Sequence, residues 1–159
     1  MEATSLLQYR LSALNDLIRI NTDRITGYKK WLAISLDDDL ETIFLEFIYQ
    51  GQRNIADITK QIYLLGSKPD NGNSLPGKFY HAWTDFKSMV YTQNRQALLS
   101  YSEYTEDVAQ SAYRKALEDK DLSYENRRIF YLLSKHYDDM HKSYAMVGEL
   151  LKQSNATAA

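Results

Sequence analysis

The run Gly66-Ser67-Lys68-Pro69-Asp70-Asn71-Gly72-Asn73-Ser74-Leu75-Pro76-Gly77 holds both prolines and three of the six glycines in a chain of 159 residues. No other stretch gathers helix-breaking residues so densely, so it is the one strong loop signal. It parts two helical halves. Neither half can close a core alone, so both are expected to pack into a single domain over residues 1–153, with 154–159 as a flexible tail.

Upstream of the loop, Leu7, Leu11, Leu14, Ile18, Ile25, Tyr28 and Leu32 recur at three- and four-residue spacing, which predicts a helix from about Ser5 to Ile34. Asp37-Asp38-Asp39 ends it, and Asp38-x-x-Glu41 has the form of a capping box opening a second helix. That helix carries Phe44, Ile48, Ile55, Ile58, Ile62 and Leu65 on one stripe, and Gly66 stops it. The turn between them is short, so the two are antiparallel neighbours.

Downstream, Phe79–Tyr91 reads as a shorter helix bearing Trp83 and Phe86. Asn94 caps a third long helix, Arg95–Glu118, and Ser123 caps a fourth that runs to about Lys152. The connection between helices two and three is much longer than the other turns, long enough to travel the height of a bundle. The expected fold class is all-α. Its architecture is a ferritin-like four-helix bundle, two antiparallel helical hairpins joined by a long crossover containing a short helix.

A formal net charge of −2 gives no attraction to nucleic acid or to anionic membranes, and Lys29-Lys30 and Arg127-Arg128 are only basic doublets. No apolar run approaches ~18 residues, so no membrane span is expected. Met1–Ala13 is interrupted by Glu2, Gln8 and Arg10 and lacks a signal peptide's apolar core, which points to a cytoplasmic setting. Cysteine is absent, which removes disulfides, thiolate metal sites and a Cys nucleophile. Neither a phosphate-cradling glycine loop nor a Ser, Thr or Lys in a nucleophile context occurs.

Each long stripe is broken near its midpoint by polar residues. Helix one has Asn21; helix two has Gln50, Gly51 and Asn54. Helix three has Glu103, Glu106 and Gln110; helix four has Asp138 and His141. Helices packed side by side bring their middles to one level, so these groups are expected to meet in a central layer. Tyr28, Tyr113 and Tyr144 lie on the same stripes and can bond to it through their hydroxyls. Buried polar groups are costly unless paired, which makes that layer the place to look for chemistry.

Glu103-x-x-Glu106 and Asp138-x-x-His141 each set two potential ligands on one helical face. Hard oxygen donors with an imidazole suit iron or manganese, so Glu103, Glu106, Asp138 and His141 are the candidate metal ligands. The set falls short of a dimetal centre. Helix one offers Asn21 and Asp23 in place of a Glu, and Tyr49 stands where a His would follow Glu46. The favoured reading binds no metal: Glu106 accepts bonds from Tyr28 or Tyr144, His141 pairs with a carboxylate, and the layer fixes helix register. His136 is expected on a surface or flank, His81 beneath the crossover, and Asp107 and Asp139 in water.

The pieces Leu14-Asn15-Asp16-Leu17-Ile18 and Asn21-x-Asp23-Arg24-Ile25-x-Gly27-Tyr28 form a distinctive first half. Gly77 with Trp83 and Lys87, Glu103-x-x-Glu106-Asp107, Tyr113-x-x-Ala116-Leu117 and His141 complete the pattern. Over about Leu14 to Tyr144 the chain resembles the bacterial domain-of-unknown-function family 2383, ferritin-like four-helix bundles with no established activity. The resemblance implies that Asn21, Asp23, Tyr28, Glu103, Glu106 and His141 belong to a shared polar set. It departs at Thr26 and Lys29, where members tend to carry acidic residues, and at Tyr80-His81, where they tend to have His-Arg. Both departures remove ligands or charge partners.

The expected function is that of a non-enzymatic bundle that self-associates as a dimer or binds a partner, under stress as ferritin-like relatives often do. Trp31, Tyr49 and Tyr63, if exposed together, would form its interface. The alternative is an iron or manganese protein with oxidase or storage activity at the carboxylate/His layer, with Tyr28 or Tyr144 behind the ligands. A weaker option is a small-molecule site under the crossover near Trp83.

Overall fold

The computed structural model describes residues 2–34, 37–72, 75–77, 94–124 and 126–158. It contains four long helices, α1 (Ala3–Ile34), α2 (Asp38–Leu64), α3 (Arg95–Glu118) and α4 (Arg127–Ala158), with a π-helical turn at Lys120–Tyr124 before α4. Among the described residues there is no strand, and no helix is long and apolar enough to cross a membrane. The expected short helix Phe79–Tyr91, with His81, Trp83 and Phe86, lies outside the described residues. α4 continues to Ala158, past the expected end at Lys152, so residues 154–158 are helical.

Helix ends follow local chemistry, with two corrections. Asp37 occupies the N-cap of α2 without a side-chain capping bond, so the Asp38–Glu41 box does not form. Asp37 and Asp39 instead hold Arg95 of α3, at 2.9 and 2.6 Å. α2 stops in a Schellman turn: Gly66 adopts φ +81°, its N–H donates to Tyr63 and that of Ser67 to Ile62. Asn94 caps α3 by accepting from the Gln96 N–H at 2.8 Å. At the start of α4 the cap is Asn126, which accepts from the Ile129 N–H at 3.2 Å, and not Ser123. The π-helical turn displaces the helix start by one turn.

α1 packs along α2 and α3 along α4, and the two pairs meet through α1 against α3 and α2 against α4. Terminal contacts give the directions. Arg95, at the start of α3, lies against the α1–α2 turn, while Tyr9 near the start of α1 donates to Asp119 beyond the end of α3 at 2.6 Å. α1 and α3 are therefore antiparallel, α2 and α3 run the same way, and residues 65–94 connect opposite ends of the bundle.

The apolar core comes in two parts. One joins Leu14, Leu17 and Ile20 of α1 to Ile58, Ile62, Ala109, Tyr113, Leu133 and Met140. The other joins Ile25, Tyr28 and Trp31 to Phe44, Phe47, Leu99 and Val147. On each helix, polar residues separate the two parts: Asn21 and Arg24, Gln50 and Asn54, Ser102, Thr105 and Glu106, and Ser143, all buried.

Gly51 of α2 lies against Ile25 and the Asn21 carbonyl of α1 beside that layer. A Cβ there would lie 2.8 Å from Ile25 Cγ1, a branched side chain with little room to retreat. Overpacking of this kind costs roughly 1–3 kcal/mol, while exchanging glycine for alanine inside a helix returns up to ~1 kcal/mol. Gly51→Ala is therefore expected to lower the urea midpoint by a net loss of roughly 1 kcal/mol.

Candidate functional site

Arg24 is the centre of the layer. It lies on the inner seam of α1, where Leu14, Leu17, Asn21, Arg24, Tyr28 and Trp31 alternate at three and four residues and are all buried. Its guanidinium grips Glu106 of α3 with two parallel bonds, Nε to Oε1 and Nη2 to Oε2, both 2.8 Å. Both side chains are fully buried. Nη2 also donates to Gln50 of α2, which passes the chain to Ser143 of α4 at 3.3 Å. Tyr28 donates its hydroxyl to the same Glu106 Oε1 at 2.6 Å. Arg24 Nη1 has no hydrogen-bond partner among the described residues, but the guanidinium lies 5.9 and 5.5 Å from the Tyr28 and Phe47 ring centroids.

Electrostatics agree with a closed ion pair. Burial alone would weaken protonation of Arg24, but the Glu106 carboxylate and its hydrogen bond outweigh it and raise the guanidinium's pKa. Burial, with Glu106 beside it, pushes the Tyr28 hydroxyl well above its ordinary value. Tyr28 therefore stays a neutral donor.

A second chain of bonds runs beside the first. Asn54 donates to Asn21 Oδ1 at 3.2 Å, and Asn21 Nδ2 donates to the Tyr113 hydroxyl at 2.8 Å. Tyr113 Oη lies 3.2 Å from His136 Nδ1, and His136 Nε2 lies 3.0 Å from Asp57 Oδ2. A carboxylate can only accept, so Nε2 carries the proton and Nδ1 accepts from Tyr113. Tyr113, too, is raised by burial.

His136 is thus an interior residue, 1% exposed, and not the flank position expected of it. Burial lowers its pKa below 6.5, although Asp57 partly opposes this. The unfolded chain then binds the proton more readily than the folded one. Stability is complete above about pH 6.5 and falls as pH drops from there through the folded value. Urea midpoints followed across that window should decline on the acid side, and His136→Gln should flatten the decline.

The sequence-derived candidates divide. Glu106, Asn21, Tyr28 and Tyr113 come together in the buried layer. His141 does not: it is exposed, and its Nδ1 lies 3.1 Å from Gln110 Oε1 and not beside a carboxylate. Asp138 is exposed, and Glu103 and Tyr144 are half-buried around an outer cleft of about 470 Å³ shared with Gly148 and Lys152. Asp23 is half-buried in a surface cleft of about 390 Å³ beside Asp70. Glu106 bonds to Tyr28, while Tyr144 sits at the outer cleft. Asp107 is exposed as expected, and Asp139 is half-buried.

These donors do not fit a metal. Among the described residues, no three His, Cys, Asp or Glu side chains are grouped to hold one. The one fully buried carboxylate of the set, Glu106, has both oxygens engaged by a guanidinium whose positive charge opposes a second cation.

Arg24, Asp57 and His136 take part in these bonds without having been placed in the layer by the sequence. A further buried carboxylate, Asp16, accepts from Arg19 at 2.9 Å and from the Gly77 N–H at 2.7 Å. Arg19 continues to Asp70 at 2.9 Å, and Asn15 accepts from the Asp70 N–H at 2.9 Å. The Asn15-Asp16 dipeptide therefore ties Asp70 and Gly77 to α1.

The family model described as a domain of unknown function, DUF2383, matches residues 10–119. That span takes in Asn15-Asp16, Arg24, Gln50, Glu106 and Tyr113. No curated protein matches the chain.

Proposed function

The chain belongs to the DUF2383 family, and from that premise we propose a non-enzymatic, self-associating helical bundle whose central polar layer is a structural lock. The reading takes the architecture as ferritin-like. Parallel α2 and α3, joined across the height of the bundle, support that assignment. Asn21, Tyr28, Tyr113 and Glu106 act in it as packing determinants together with Arg24. Asp23, Glu103, Asp138, His141 and Tyr144 lie outside the lock.

One observation carries the reading: both oxygens of Glu106 are satisfied by Arg24 and Tyr28. A reaction centre keeps an open position for substrate or metal-bound water, and neither oxygen of Glu106 offers one. Buried polar groups paired this way select one helix register out of several that the apolar stripes would tolerate.

Two measurements test it. Protein from iron- and manganese-supplemented cultures should contain only substoichiometric metal by elemental analysis, and sedimentation should show a mass above that of one chain. Stoichiometric metal that disappears in Glu106→Gln would overturn the structural role of the layer. A monomer at every accessible concentration would overturn self-association.

A further inference from the structure

The outer face of α2 is built as a second seam. Turned about 120° around the helix from the buried Phe44, Phe47, Ile48, Ile58 and Ile62 lie Thr42, Leu45, Tyr49, Gln52, Ala56, Thr59 and Tyr63, in an unbroken three-four alternation and exposed except for the half-buried Thr59. Leu45, Tyr49 and Tyr63 are 37, 56 and 57% exposed. Such spacing keeps one side of a helix facing a partner along its whole length. The stripe is ~32 Å long at 1.5 Å per residue, enough for an interface of modest size. Within the described part of the connection from α2, Asp70 and Gly77 are fastened to α1.

Charge says which partner fits. Exposed Glu41 and Glu46 flank the first half of the seam, and exposed Arg53 and Lys60 flank the second. A second copy laid parallel would set acid against acid and base against base. Laid antiparallel, it sets Glu46 of each copy near Lys60 of the other. A two-fold axis between positions 52 and 53 also matches size to size: each Tyr49 falls opposite Ala56 of the other copy, and each Thr42 opposite Tyr63. Arg53 lies beside the axis, near its own symmetry mate, and its own chain's Glu46 at 3.6 Å offsets that like charge.

We propose that two copies of the chain pair antiparallel along this α2 seam, with Tyr49 seated over Ala56 and Glu46 beside Lys60. The proposal rests on the self-association argued above and names its surface. A two-fold interface is self-complementary by symmetry, so every contact occurs twice and each substitution is felt twice.

The natural chain has no cysteine, so single-cysteine variants give an unambiguous crosslink. Gln52→Cys treated with a short bismaleimide should yield covalent dimer in high fraction, and Tyr131→Cys on α4 should yield little. In sedimentation equilibrium, Glu46→Lys and Lys60→Glu should each weaken the dimer roughly tenfold, and the double variant should restore it. Ala56→Arg should dissociate it without changing the circular-dichroism melt of the monomer. A dimer that ignores both charge reversals and crosslinks no better at 52 than at 131 overturns the seam, while leaving self-association intact. A monomer at all concentrations overturns both.

Discussion

Glu106→Ala is expected to lower the unfolding free energy by about 3–5 kcal/mol, measured from urea titrations at neutral pH. Removing the carboxylate leaves the Arg24 guanidinium fully buried with no counter-charge, and an unpaired interior charge carries a desolvation penalty of that size. Tyr28 loses its acceptor in the same step. Against a total stability of about 5–15 kcal/mol for a single domain, the loss is a substantial fraction. Glu106→Gln keeps the shape and an acceptor oxygen but not the charge, so its loss should be smaller. Arg24→Ala should resemble Glu106→Ala, because it strands the carboxylate instead.

The second large effect concerns Trp31. The sequence suggested an exposed aromatic at an interface, but Trp31 is fully buried at the end of the α1 seam. It packs T-shaped on Tyr28 at 5.0 Å and against Phe44 and Tyr101 at 6.0 and 6.2 Å. Trp31→Ala would open a cavity that these rings cannot fill, at a loss of about 3–5 kcal/mol. A thermal melt should shift down by roughly 2–4 °C for each kcal/mol lost. Tyr49→Ala, on the open face of α2, should leave the melt of the monomer nearly unchanged. The contrast separates a core role from a surface one.

The helices were readable because their apolar spacing is regular and their breaks are marked by Asn94, Gly66 and the Gly66–Gly77 run. Their rotation was harder to read. On α4 the inward line is Ile129, Leu133, His136, Met140, Ser143 and Val147, all buried. The sequence placed Tyr144 on that stripe, one residue out of phase with the buried Ser143. Tyrosine can sit at a boundary with its ring packed and its hydroxyl wet, so it marks a stripe less faithfully than leucine does. That single shift exchanges the roles of His136 and His141.

Arg24 was missed for a related reason. An arginine among apolar residues reads as a surface position, because charged side chains are rarely fully buried unless paired. The signal that would have found it is joint. Arg24 continues the Leu17, Asn21, Tyr28, Trp31 alternation, and Glu106 stands at the corresponding level of α3. Neither residue is informative alone. Asp16 shows the same limit, since its partner, the Gly77 N–H, belongs to the backbone and has no side-chain signature.

If the central layer is a closed lock, then Arg24 and Glu106 must be strongly coupled to each other and dispensable as a pair. A double-mutant cycle on urea stability measures this directly, using Arg24→Met, Glu106→Leu and the two together. The expected result is a large loss in each single variant and recovery of most of it in the double, because no charge remains buried. Two mild losses that simply add would show that the pair is not a locked unit, and the structural account of the layer would be wrong.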